Sequence, residues 1–263
     1  MTTESAKPTA LRPARRWRWL RTAQSAAADL LFPPRCAFCF DECESRAGQP
    51  LFCSDCDDQF RPSAAARCSR CGIICPAADV PRGDCVNWRQ EKWQFREVRT
   101  LGSYQDALRE AVLKIKHVAY EPLAIALGQR LAECIQDRPL VEHPDVVAPV
   151  PMHWFKRLWR HTHTAQTLAR AVALHLELPL ASGLLVCRRP LARQASLTPP
   201  QRKLNVRGAF RRSRLVRLTG KRVLIVDDVM TTGATAQEAA RAIIEGGAAA
   251  VFVATVARSS PDF

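Results

Sequence analysis

The sequence predicts an α/β domain built on a parallel sheet and preceded by a small cysteine-rich module. Three observations carry this. From about residue 95 onward, short apolar runs alternate with amphipathic stretches of helical period. The run Val223–Val226 is apolar throughout, as in a strand buried on both faces, and a helical stretch and a second apolar run follow it. The chain has eleven cysteines, most of them between Cys36 and Cys85. At 263 residues and 47% hydrophobic content, it can build one domain of ordinary size plus an appendage.

The elements are read in chain order. Residues 1–30 form a basic tail in which Arg12, Arg15, Arg16, Arg18 and Arg21 interleave with Trp17, Trp19 and Leu20. It reads either as a solvated tail or as a short amphipathic helix touching lipid or nucleic acid. Residues 31–90 are rich in Pro, Ser, Asp and Gly and too poor in apolar runs to build a core unaided, so a metal must supply one. Residues 91–263 carry the α/β pattern. A strand is expected at Glu97–Gly102, with helices at Asp106–His117 and Pro122–Gln136. A strand at Val146–Val150, a helix at Thr164–Leu178 and a short strand at Leu184–Cys187 follow. Residues 188–222 read as a long basic loop with little regular structure before Val206–Phe210. The strand Val223–Val226, a helix Ala234–Glu245 stopped by Gly246-Gly247, and the strand Val251–Val256 close the pattern. No internal repeat is visible.

The net charge is +14 and the pI about 9.8, which suits an anionic partner such as phosphate, nucleic acid or an acidic membrane surface without choosing among them. No apolar run approaches the length of a membrane span, and the N-terminus lacks a secretory pattern. The chain therefore reads as cytoplasmic, with a place at the inner face of the membrane as the alternative, and with reduced thiols available for metal.

Chemistry concentrates at Asp227–Thr235. There a buried strand ends in two carboxylates, a Thr- and Gly-containing loop follows, and a helix begins. A helix start offers N–H donors and the positive end of a dipole, which suit phosphate. Thr231, Thr232 and Thr235 add hydroxyls, and Gly233 allows close backbone approach. Asp227 and Asp228 are anions and cannot bind phosphate. They can accept from ribose hydroxyls or hold a Mg²⁺ that bridges to diphosphate. Acids beside a phosphate cradle therefore imply a sugar phosphate. Two adjacent acids at a buried strand end are costly without such a partner, which argues against simple helix capping.

This segment resembles the phosphoribosyl diphosphate motif of the type I phosphoribosyltransferases: an apolar run, Asp-Asp, two variable residues, Thr-Thr-Gly and a further Thr. The resemblance implies that Asp227 and Asp228 take the ribose hydroxyls as catalytic residues. It implies that Val229, Met230, Thr231, Thr232, Gly233, Ala234 and Thr235 bind the phosphoribosyl diphosphate, with Thr231 to Thr235 wrapping the 5-phosphate. Three further blocks are similar to the ComF family: Leu113–His117, Val147–His153 and Gln194–Phe210. That family joins an N-terminal zinc module to a phosphoribosyltransferase domain. In the superfamily the loop after the Val146–Val150 strand contacts diphosphate, and here it holds Lys156, Arg157 and Arg160. Family members usually have Arg-Gly-Phe-Asn-Gln there, whereas this chain has Arg160-His-Thr-His-Thr164, so retention of catalysis stays open. Residues 188–222 hold twelve Lys or Arg and no acid. By resemblance Arg193 to Asn205 form a lid over the site, a solvated basic loop or nucleic-acid patch being the alternative. Lys114 and Lys116 either reach phosphate or lie on an exposed helix face.

Cys36, Cys39, Cys53 and Cys56 form two C-x₂-C knuckles separated by thirteen residues, close to zinc-ribbon spacing. A third knuckle, Cys68 and Cys71, precedes Cys85. Its expected partner position holds Trp88, so a second site is broken or borrows Cys75. Cys43 is unassigned, and Cys134 and Cys187 sit in core-like contexts. The zinc reads as structural, since four thiolates leave no open position.

Two functions follow. The first is Mg²⁺-dependent transfer of a phosphoribosyl group from phosphoribosyl diphosphate, a pentosyl transfer that the resemblance links to DNA uptake and competence. The second is a non-catalytic phosphoribosyl-binding protein that engages single-stranded DNA and a competence helicase of the transformation machinery.

Overall fold

The computed structural model describes residues 33–43, 52–62, 67–75, 85, 93–152, 163–192, 197–213 and 216–259. The basic tail, Lys156, Arg157, Arg160 and Arg193 lie outside the described residues.

A four-stranded parallel sheet, as expected, forms the centre. Its strands are β1 (Val98–Ser103), β2 (Val146–Pro149), β5 (Arg222–Met230) and β6 (Ala250–Arg258), in the order β1-β6-β5-β2. β6 is buried at all nine positions, because helices cover both faces and strands flank both edges. On one face lie α2 (Asp106–Lys114), α3 (Glu121–Asp137) and α4 (Thr164–His175). α3 and α4 pack closely where Gly128 stands, since a Cβ there would sit 2.6 Å from the Ala171 Cβ. Leu127, Leu131, Leu168, Leu224, Val226 and Phe252 form the core on this side. On the other face α6 (Ala234–Ile244) buries Ala236, Ala239, Ala240 and Ile243 against Val223, Ile225, Val251 and Val253.

The segment 188–222 departs from the expected loop. It contains α5 (Pro199–Val206) and β4 (Phe210–Arg212), and β4 pairs antiparallel with β3 (Leu185–Cys187) in a separate two-stranded sheet. α5 starts at a capping box: the Thr198 amide donates to Gln201 Oε1 at 2.9 Å, with two prolines opening the first turn. The pattern Thr198-Pro-Pro-Gln201 is its signal in the sequence. Two further boundaries move. The helix expected to reach His117 stops at Lys114, and the strand expected to stop at Val226 runs through both aspartates to Met230.

The cysteine-rich module does contain a repeat. Cys36–Cys39 is followed by Phe40 at φ 70°, and Cys68–Cys71 by Gly72 at φ 75°. Each knuckle is closed by an antiparallel bridge, Arg35 to Glu42 and Arg67 to Ile74, shifted by 32 residues (35 to 67). Cys53 maps to Cys85 by the same shift. The side chains between them hide the repeat, because only the cysteines and the left-handed turn need to match. The first knuckle packs through Phe38, Phe52 and Phe60 beside α1 (Ser54–Phe60), with Phe38 and Phe60 edge-on at 5.0 Å. Arg130 of α3 pairs with Asp57 of α1. The second knuckle covers the edge of the sheet, where the Val98 amide of β1 donates to the Ser69 carbonyl at 2.8 Å.

Candidate phosphoribosyl-binding site

The candidate site lies at the C-terminal ends of β5 and β2, where the Val150 amide donates to the Val226 carbonyl at 2.9 Å. Ligands of open parallel sheets bind beyond this end of the strands. Each aspartate folds back on the strand. The Asp228 amide donates to Asp227 Oδ1, and the Val229 amide to Asp228 Oδ1, both at 2.9 Å. Asp227 stands opposite Thr255 of β6, whose hydroxyl is buried and has no hydrogen-bond partner among the described residues. Burial above all, then the charge of Asp228, holds the Asp227 carboxyl well above the usual carboxylate range. Lys116 opposes this shift, and its Nζ lies 3.7 Å from Asp228 Oδ2.

The turn Thr231–Gly233 then delivers the chain into α6. Gly233 is the N-cap residue at φ +78°, and its carbonyl accepts the first helical bond from the Gln237 amide at 2.8 Å. Glycine is needed there twice over. The left-handed region disfavours other residues, and a Cβ would meet the Trp93 ring at 2.6 Å and Met230 Cε at 2.7 Å. The strap containing Trp93 is pinned to α6, since the Gln94 amide donates to Gln237 Oε1 at 2.7 Å. Thr232 Oγ1 accepts a long bond of 3.4 Å from the Ala234 amide.

The structure thus brings together Asp227, Asp228, Lys116 and the Thr231–Thr235 turn. Val229 and Met230 belong to the strand and their side chains pack into the core, that of Met230 with its Cε against Gly233 of the turn. Lys114 is committed elsewhere. Its Nζ donates to the Phe38 carbonyl at 3.3 Å, sits 4.2 Å from the centre of the Phe38 ring and pairs with Glu110 at 2.8 Å. Lys114 therefore docks the first cysteine knuckle. Two residues near the turn carry no motif in the sequence: Trp93, and Arg258 at the end of β6, whose guanidinium bonds the Met230 carbonyl at 2.9 Å.

The cysteines gather as two clusters. The sulfurs of Cys36, Cys39, Cys53 and Cys56 lie within 4.8 Å of one another, and Cys39 and Cys53 are 3.6 Å apart. Tetrahedral Zn–S bonds of ~2.3 Å put sulfurs about 3.8 Å apart, so these residues fit a structural Zn²⁺. Burial raises the Cys36 thiol, but amide donors from Cys39, Cys53 and Phe38 outweigh it and bring the group down to about 7, near the thiolate form a metal needs. Cys68, Cys71 and Cys85 form the second cluster, with Cys71 and Cys85 at 3.1 Å. A hydrogen bond with Cys71 holds the Cys68 thiol at about 5. Cys75, expected as a fourth ligand, packs against these three, but its sulfur is not gathered with them. Cys43 lies beside the first cluster, and Cys134 and Cys187 are core residues as expected. Among the described residues no helix is long and apolar enough to cross a membrane.

The fold and the site define a phosphoribosyltransferase-type domain joined to a double zinc ribbon. Residues 163–261 match the phosphoribosyl transferase domain family, and residues 27–86 match the double zinc ribbon domain. The chain is 30% identical to the DNA utilization protein YhgH of Escherichia coli K12 over 211 residues, covering 79% of this chain and 90% of that one. It is 24% identical to competence protein F of Haemophilus influenzae over 213 residues, with the same coverage of 79% and 90%. The chain belongs to the ComF family, as these relatives and both domain matches show. Among solved structures it is similar to the glutamine phosphoribosylpyrophosphate amidotransferase of B. subtilis, with 22% identity and a TM-score of 0.38, over 55% of this chain and 30% of that one.

Proposed function

We propose that the Asp227–Thr235 segment binds phosphoribosyl diphosphate and that the chain uses it in a process of DNA utilization. The observation that carries this reading is the pair of acids closing a buried parallel strand directly before a glycine-capped helix start. The turn at Thr231–Thr235 takes the 5-phosphate through amides and hydroxyls. Asp227 and Asp228 accept from the ribose hydroxyls and orient the ring. Lys116, and Lys156, Arg157 and Arg160, which follow β2 in the sequence, offset the charge of the diphosphate. Two carboxylates do not make an all-protein Mg²⁺ cage, but they fit an ion that arrives on the diphosphate. Such an ion would neutralise charge on the leaving group. In transfer, the bond from C1 to the diphosphate oxygen breaks and a bond from C1 to the acceptor nucleophile forms. The residues' part is positioning and charge stabilisation.

Calorimetry with phosphoribosyl diphosphate and Mg²⁺ tests the site. Binding near micromolar, about −8 kcal/mol, is expected for the wild type and marked loss for Asp227→Ala/Asp228→Ala. Equal binding by both would remove the assignment. Diphosphate release with a panel of nucleobases tests transfer itself.

A second reading, phosphoribosyl-dependent binding of single-stranded DNA without catalysis, is favoured by the twelve cationic and no acidic residues of 188–222. Titration with labelled single strands at several salt concentrations tests it. Binding that does not weaken with salt would rule out this electrostatic mode.

A further inference from the structure

Strand β6 is buried from end to end, yet it finishes in Arg258, whose side chain is 3% exposed. Burial lowers its guanidinium to about 10, which still leaves it charged at neutral pH. A buried guanidinium needs acceptors, and no carboxylate supplies them among the described residues. Its Nη1 donates to the Met230 carbonyl at 2.9 Å and to the carbonyls of Thr231 and Ser259. Its Nε donates to the Cys71 carbonyl at 2.9 Å. One side chain thus ties the last residue of β5 and the first residue of the candidate phosphate turn to the knuckle of the second cysteine cluster, 187 positions away from it in sequence.

The consequence is geometric. In a planar trans peptide the carbonyl and the following N–H point in opposite directions, and no cis bond occurs among the described residues. With the Met230 and Thr231 carbonyls turned in to Arg258, the amides of Thr231 and Thr232 point away from the guanidinium. Successive amides aimed one way make an anion nest. The carbonyls that would repel a phosphate are meanwhile drawn back.

We propose that Arg258 is a positioning residue that sets the amides of the phosphate turn, and that it links ligand affinity at the turn to the metal held by Cys68, Cys71 and Cys85. Metal there fixes the Cys68–Cys71 turn, whose carbonyl at Cys71 anchors Nε. Loss of the metal frees that carbonyl and lets the guanidinium move. The coupling is reciprocal, so a ligand on the turn raises the affinity of this cluster for metal. The first cluster, packed against α2 and α3 on one face of the sheet, is outside the linkage. The ligand arm of this proposal rests on the reading of the turn as a phosphoribosyl diphosphate site, whereas the strut itself does not.

The test uses the zinc-loaded full chain. In hydrogen exchange without ligand, Arg258→Lys and Cys85→Ser are each expected to speed exchange in peptides spanning Met230–Thr235 about tenfold, with β5 before Asp227 unchanged. Unchanged exchange in both variants overturns the strut whatever the ligand does. In the second arm, a chromogenic chelator competes for zinc at equilibrium with and without phosphoribosyl diphosphate, and the second-cluster equivalent is identified by its absence in Cys85→Ser. The ligand is expected to raise the zinc affinity of that cluster about tenfold in the wild type and not in Arg258→Lys, in the ordinary range of site-to-site coupling. Ligand binding seen by calorimetry, with no change in that affinity, overturns the linkage. Absence of ligand binding to the wild type refutes the phosphoribosyl reading and the ligand arm together, while the exchange arm still decides the strut.

Discussion

Gly233→Ala probes the candidate site at its tightest point. The glycine sits at φ +78°, where an L-residue costs about 1–2 kcal/mol. The added methyl would also lie 2.6 Å from two carbons of the Trp93 ring and 2.7 Å from Met230 Cε. Forcing such a group into packed surroundings costs about 1–3 kcal/mol more. The expected loss is therefore about 2–5 kcal/mol, a fall in Tm on the order of 10 °C for a chain of this size. Thermal unfolding at fixed zinc measures it. A double-mutant cycle with Trp93→Leu isolates the clash with the ring, which vanishes in the leucine background while the contact with Met230 Cε and the backbone strain of about 1–2 kcal/mol persist. Affinity for phosphoribosyl diphosphate should fall at least about tenfold in both backgrounds, since the turn's amides are displaced. A Gly233→Ala protein within about 0.5 kcal/mol of wild type, with unchanged affinity, would refute the account of this turn.

Asp227→Asn should abolish ligand binding yet stabilise the free protein at neutral pH. Because the folded-state carboxyl titrates above its unfolded value, the folded chain holds the extra proton, and wild-type stability falls as pH rises from the ordinary carboxyl range through the raised one. Urea unfolding across that range should show the slope in wild type and its reduction in the variant. The two lysines of α2 and its C-terminal turn should separate cleanly. Lys114→Met is expected to cost about 1 kcal/mol through its lost contact over Phe38 and to leave ligand affinity intact, while Lys116→Met weakens the ligand with little effect on stability. An affinity loss in Lys114→Met would contradict the placement. Cys53→Ser should remove one zinc equivalent and expose the Phe38, Phe52 and Phe60 cluster, seen as increased binding of a hydrophobic dye.

The sequence by itself determines what short-range chain geometry encodes. An apolar run ending in Asp227-Asp228 and followed by Thr-Thr-Gly implies strand, turn and helix start within a dozen residues, and C-x₂-C spacing implies a metal knuckle, because neighbouring residues cannot escape one another. Even at this range a signal can be masked. The Thr198-Pro-Pro-Gln201 cap lies among so many cationic residues that the segment reads as loop, although it opens a helix. The division of labour between Lys114 and Lys116 is beyond the sequence. They are two positions apart, one the last residue of α2 and the other just beyond it, and only the docking of the first knuckle decides which one meets Phe38 and which meets Asp228. Arg258 is the extreme case. On its own it is one more arginine in a chain with 39 Lys and Arg. Its role exists only because the parallel sheet sets the end of β6 beside the end of β5 and the second knuckle packs along β1, within reach of the guanidinium. Contacts across such separations follow from packing, which no periodicity in the chain records.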